Sequence, residues 1–175
     1  LIAFGALAAM PHDPLPDLKI GTPLPASDVR MKDVSGKETT LKDAAGRNGL
    51  LVVFTCNTCP FVVGTEDSEG WEGRYAALAA FAERRAVGVA FINSNTAKRD
   101  AGDGLADMQA RYEEKKYAGH YLLDENNQVA DAFGARTTPH VFLFDQKHEL
   151  AYKGAIDDNV TKAAGVKERY LEQAI

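Results

Sequence analysis

Residues 53–62 read "VFTCNTCPFV", and the fold turns on how this stretch is read. An apolar run, "LLVVF" (50–54), leads straight into C-x-x-C-P, and Cys56 and Cys59 are the only two cysteines of the 175-residue chain. A strand followed by C-x-x-C followed by a helix is a specific constellation. If the helix starts at the first cysteine, the pair is i and i+3 on one helix face, about 5–6 Å apart. That separation allows a disulfide with little movement. The same reading puts Cys56 at the helix N-terminus, where free N–H groups and the macrodipole stabilise a thiolate and lower its pKa. Cys59, one turn inside, keeps its proton longer. The expected division of labour is that Cys56 attacks a substrate disulfide and Cys59 resolves the mixed disulfide. Pro60 is tolerated in a first turn, where its missing N–H has no intrahelical acceptor.

Outward from this stretch, three more apolar runs follow: "VGVAFI" (87–92), "YLL" (121–123) and "VFLF" (141–144). Continuous rather than alternating apolar character marks strands covered on both faces. Between them Trp71, Tyr75, Leu78, Ala79 and Ala82 recur with helical spacing, as do Leu105, Met108 and Tyr112. "NQVADAF" (127–133) predicts a short helix capped by Gly134. Gly64 and Gly70 interrupt any helix after the cysteines. "ELAYKG" (149–154) lies too close to "VFLF" for a crossover, so the two strands form an antiparallel hairpin. Val160–Ile175 predicts a last helix that stops without a capping signal, so the native chain is expected to run on. Strands alternating with helices give an α/β fold with a mixed sheet and helices on both faces. Upstream, "SDVRMKDVSGKETTLKDAAG" (27–46) predicts a small hairpin turning at "SGK" (35–37). The organisation is an apolar segment and proline-rich lead-in over 1–26, then one domain over 27–175.

Leu1 to Ala9 is apolar, uncharged and ends in small residues, like the latter part of a signal peptide without its basic start. A periplasmic or secreted location is the expectation, with the cytoplasm as the alternative. An oxidising compartment would suit a cysteine pair. Net charge is −5 with lysines and arginines scattered, which excludes a nucleic-acid footprint. No stretch approaches the roughly 20 apolar residues that span a bilayer.

A second element must close a dithiol site. "RTTPHVF" (136–142) supplies Thr138–Pro139 just before a buried strand. Such a proline is an ordinary trans strand start or a cis bond. With C-x-x-C upstream, cis is the better reading, and Thr138 and Pro139 become candidate substrate-binding residues.

The order strand, C-x-x-C-P, helix, then T-P before a β-hairpin resembles the thioredoxin-like superfamily. It is most similar to the peroxiredoxin-like (redoxin) branch related to alkyl hydroperoxide reductase and thiol-specific antioxidant proteins. The stretches that carry the likeness are "CNTCPFV" (56–62), "FINSN" (91–95), "YLLDENNQVADAFGARTTPHVFLFD" (121–145) and "LAYKGAIDD" (150–158). The resemblance implies a thioredoxin fold and a redox-active Cys56/Cys59 pair faced by a cis Thr138–Pro139 bond. It implies exchange with protein or small-molecule thiols and disulfides, or thiol-dependent reduction of peroxides. A thiol reductant recharges such a site, and no organic cofactor is involved. Asn93, Ser94 and Asn95 match a family loop without an assigned role. The chain departs from thioredoxins proper in carrying Leu50 where a buried acid stands six residues before the first cysteine. It also has Asn57 and Thr58, and no histidine, between the cysteines.

The leading function is therefore a thiol–disulfide oxidoreductase. A peroxidase with Cys59 as its peroxidatic residue is the nearest rival, although the usual upstream proline and threonine are not at the expected spacing. A copper-binding chaperone using Cys56, Cys59 and His140 is the rival from another class, since soft thiolates and imidazole suit copper. Such proteins space their cysteines one residue wider. A zinc site lacks a second pair of ligands. A purely structural disulfide closing so small a loop would stabilise little. His12, His120 and His148 are expected in exposed loops or turns, and Asp157 and Asp158 in a turn or helix cap rather than a calcium site.

Overall fold

The computed structural model describes residues 15–175. The signal-peptide-like stretch and His12 lie outside the described residues. Seven strands form one sheet in the order β2-β1-β5-β4-β3-β6-β7. The central strands are β3 (Leu50–Thr55), β4 (Gly88–Asn93) and β5 (His120–Leu123), all parallel. On one side β6 (His140–Phe144) runs antiparallel to β3, and β7 (Leu150–Gly154) closes the edge as the second strand of the hairpin. On the other side β1 (Met31–Asp33) pairs antiparallel with β5 and with β2 (Glu38–Thr39). The expected N-terminal hairpin thus forms and extends the central sheet.

Side chains alternate across a strand, and the two faces separate accordingly. Leu51, Val53, Phe91, Tyr121, Val141 and Leu143 face a core shared with α3 (Tyr75–Glu83) and α4 (Leu105–Lys115). Leu50, Val52, Phe54, Ile92, Phe142 and Phe144 face the opposite core, against α1 (Leu41–Ala44) and α5 (Gln128–Phe133). Every residue of β3 is buried, which accounts for its unbroken apolar run. Sequence periodicity did not distinguish α1, a single turn. Its N-cap is Thr40, whose side chain accepts the Asp43 N–H.

α2 (Pro60–Val63) is one turn long. Gly64 ends it with φ 90°, and a Cβ there would stand 2.5 Å from the Ser68 carbonyl oxygen, so only glycine fits. Gly134 caps α5 in the left-handed region as expected. The lead-in is docked on the sheet: the Gly21 and Leu24 amides donate to the carbonyls of Leu150 and His148.

Two expectations fail. The last helix is only α6 (Tyr170–Ala174). Before it, short polar side chains capture backbone N–H groups that a helix would need. Asp157 takes that of Asn159, Asn159 that of Lys162 and Asp158 that of Lys167. Asp157 also pairs with Arg74 at 2.8 Å, so these acids hold a loop together. His120 is the second failure. It starts β5 half-buried, with Nδ1 2.6 Å from the buried Asp33 carboxylate, tying β5 to β1. Among the described residues, no helix is long and apolar enough to cross a membrane.

Candidate active site

β3 delivers Cys56 at its C-terminal end, but the helix that follows does not begin there. It begins at Pro60, with Cys59 as its N-cap at φ −76°, ψ 125°. The cause is legible in the sequence: a residue before proline is driven out of helical conformation and into extended backbone. Cys56 therefore has no helix N-terminus to lower its pKa. It is 3 % exposed and packs into the α3-side core. Burial, with smaller contributions from the neighbouring Cys59 and Asp103, pushes its thiol up to about 11 against the pull of a hydrogen bond with Thr138. Cys59 is the more exposed sulfur. The structure thus places Cys56 ahead of the helix rather than at its N-terminus, and Cys59 is the less buried of the two.

Both sulfurs meet Thr138. Cys56 Sγ lies 3.3 Å from its hydroxyl, and the Cys59 thiol donates to its carbonyl oxygen at 3.5 Å. The Thr138–Pro139 bond is cis. Cys56, Cys59 and Thr138 line one cavity of about 510 Å³, walled opposite by Asn127, Ala130, Ala135 and Arg136 and edged by the exposed Phe61. His140 is not gathered into a ligand set. Its ring packs on Phe142 at 4.5 Å between centroids, and its Nδ1 accepts the Arg136 N–H. Burial holds its pKa below the usual histidine value. Among the described residues, no three histidine, cysteine or acidic side chains are grouped to hold a metal ion.

The residues between the cysteines are held from the other side. The Asn57 amide donates to Asp103 Oδ1 at 2.6 Å and the Thr58 hydroxyl to Oδ2 at 2.6 Å. Asn93 and Asn95 donate to the same carboxylate at 2.7 and 2.8 Å. The Asn57 side chain donates to the Gly102 carbonyl and accepts from the Tyr121 hydroxyl. Ser94, also on the cavity, donates to Asp124, whose carboxylate takes two N–H groups at the start of α5. Asp103 was not foreseen: in "AGDGL" it reads as a solvated turn residue, yet it is fully buried. "FINSN" was the available signal, since its two asparagines meet that carboxylate.

The Redoxin family profile matches residues 12–169. The chain is a member of the Redoxin family. A hypothetical protein from Sinorhizobium meliloti 1021 is 31% identical with a TM-score of 0.71, the match covering 90% of this chain and 80% of that one. The thioredoxin domain of a thiol-disulfide oxidoreductase from Bacteroides vulgatus is 18% identical with a TM-score of 0.59, over 79% and 90% of the two chains. Peroxiredoxin Q from Xanthomonas campestris is 17% identical with a TM-score of 0.55, over 80% and 85%. The last two establish the thioredoxin-like fold. A search of curated proteins finds no match. Thiol redox chemistry is the function of this redoxin at family level.

Proposed function

We propose that this redoxin is a thiol–disulfide oxidoreductase in which Cys59 attacks and Cys56 resolves. The observation that carries the reading is the pair of free sulfurs, one half-buried and one buried, converging on Thr138 in the lining of a single cavity. The Cys59 thiolate attacks a substrate disulfide, forming a mixed disulfide and expelling one substrate thiolate, which takes a proton. Cys56 then gives up its proton and attacks the Cys59 sulfur, expelling the second substrate thiol and leaving a Cys56–Cys59 disulfide. The substrate gains two electrons and the protein loses them. A small-molecule or protein dithiol restores the pair. The high pKa of Cys56 suits the second role, since a buried thiol held protonated does not compete for the first attack.

The test uses a peptide disulfide with dithiothreitol as reductant. Cys59→Ser should abolish turnover. Cys56→Ser should release one thiol per chain and retain the other half of the substrate on Cys59. Adduct accumulating on Cys56 in Cys59→Ser, at the parent rate of first release, overturns the assignment. A second reading, peroxide reduction, starts at the same sulfur and is favoured by the Cys59–Pro60 sequence at the less buried position. Hydrogen peroxide given to Cys56→Ser should then leave a dimedone-reactive sulfenic acid on Cys59.

A further inference from the structure

Asn57 and Thr58 carry no sulfur, yet both are held by hydrogen bonds to the segment around Asp103. The backbone N–H of Asn57 and the Thr58 hydroxyl go to Asp103, and both ends of the Asn57 amide side chain are engaged by Gly102 and Tyr121. Asp103 itself accepts four short hydrogen bonds, two on each oxygen, from Asn57, Asn93, Thr58 and Asn95. Four donors occupy all the lone pairs that a carboxylate offers, leaving no place for a proton to shuttle. The arrangement is thus a charged grip on the segment joining the cysteines. Arg99 reinforces it, donating to the Asp103 carbonyl at 2.7 Å and to that of Asp124 at 3.1 Å.

We propose that Asp103 is the positioning residue of the dithiol: through Asn57 and Thr58 its carboxylate fixes where Cys56 and Cys59 present their sulfurs to each other. The proposal rests on the disulfide-exchange reading and adds a residue that touches neither substrate nor sulfur. The step it governs is ring closure, when Cys56 must reach the Cys59 sulfur within a mixed disulfide. Orientation within a fraction of an ångström is what makes such an intramolecular step fast. The carboxylate also places a negative charge beside Cys56. The other titratable groups around that thiol are Cys59, Tyr75 and Tyr121, the two tyrosines being buried with pKa values pushed up by burial.

Thr58→Val tests position alone, because it removes one donor and keeps the charge. Reduced protein is given bis(2-hydroxyethyl) disulfide, and release of the second 2-mercaptoethanol reports closure. Closure should slow about three- to tenfold, with Thr58→Ser restoring the parent rate. Asp103→Asn tests the charge: the pH midpoint for iodoacetamide labelling of Cys56 should fall, while Thr58→Val leaves it in place. Closure by Thr58→Val at the parent rate overturns the proposal, even if its melting temperature drops. So does failure of Thr58→Ser to restore closure, or an unmoved midpoint in folded Asp103→Asn. Should Asp103→Asn not fold, the two Thr58 variants decide. If the parent chain never closes its disulfide, the exchange reading fails, and the labelling midpoint still reports on Asp103.

Discussion

The cysteine-bearing loop stands between two walls of opposite character. On one side the 93–104 segment meets Asn57 and Thr58 with polar groups that are bonded to each other and to the loop. On the other side residues 127–137 stand back, leaving the cavity that both sulfurs line. A closed wall holds the sulfurs in place, and an open wall admits what they react with. The difference is one of satisfied hydrogen bonds: buried polar groups that are fully paired specify a unique arrangement. A cleft lined by Asn127, Ala130, Asp131, Ala135, Arg136 and Thr137 leaves open space beside the sulfurs.

The largest contrast lies between the sulfurs themselves. With a pKa of about 11, Cys56 is thiolate in only about one molecule in ten thousand at pH 7. Brief iodoacetamide treatment followed by mass mapping should label Cys59 first; preferential labelling of Cys56 breaks the comparison. The same burial links folding to pH. The thiol pKa is raised in the folded state, so its contribution to stability is complete below the unfolded value near 9.0 and is lost as pH rises toward about 11. The urea midpoint should fall over that window, and Cys56→Ala should remove this part of the fall.

Next in size is an intrusion into the closed wall. Gly102 has φ 107°, and a Cβ there would stand 2.9 Å from Thr58 Cγ2. Gly102→Val should cost roughly 2–4 kcal/mol through backbone strain and overpacking, read by urea unfolding. A cost within experimental error would mean that this wall yields. An intrusion into the open wall should do the reverse. Ala135→Trp should slow exchange with a peptide disulfide about tenfold, or roughly 1.4 kcal/mol in kcat/KM, with unfolding nearly unchanged. Equal turnover by parent and variant would place the substrate elsewhere.

The smallest effect belongs to a pair outside both walls. Hydrogen bonds from His120 and Ser35 hold the Asp33 carboxyl below its usual value, against the cost of burying it. A lowered pKa contributes stability that is present above the unfolded value and lost as pH falls through the folded one. Asp33→Asn should cost about 1 kcal/mol at pH 7 and leave the labelling order of Cys56 and Cys59 as it was. A changed order would mean that the sheet edge reaches the site.

Much of this protein was determined locally and is legible residue by residue. The buried strands announced themselves as unbroken apolar runs because both of their faces are covered. The hairpin of β6 and β7 followed from a connection too short to cross the sheet. The pairing of C-x-x-C with Thr138–Pro139 was read from their order along the chain and agreed with the family resemblance, and the extended backbone of Cys59 was already implied by Pro60. Other features depend on partners distant in sequence. Which sulfur is the more deeply buried was decided by packing of Cys56 within the α3-side core, and no periodicity records that. Asp103 looks like a turn residue until Asn57, Thr58, Asn93 and Asn95 converge on it from two separate segments. The final helix was lost to Asp157, Asp158 and Asn159, whose side chains took backbone groups that a helical pattern alone would have left to the helix. Burial and hydrogen-bond satisfaction are properties of the assembled neighbourhood, so the unequal burial of the two sulfurs belongs to the tertiary structure.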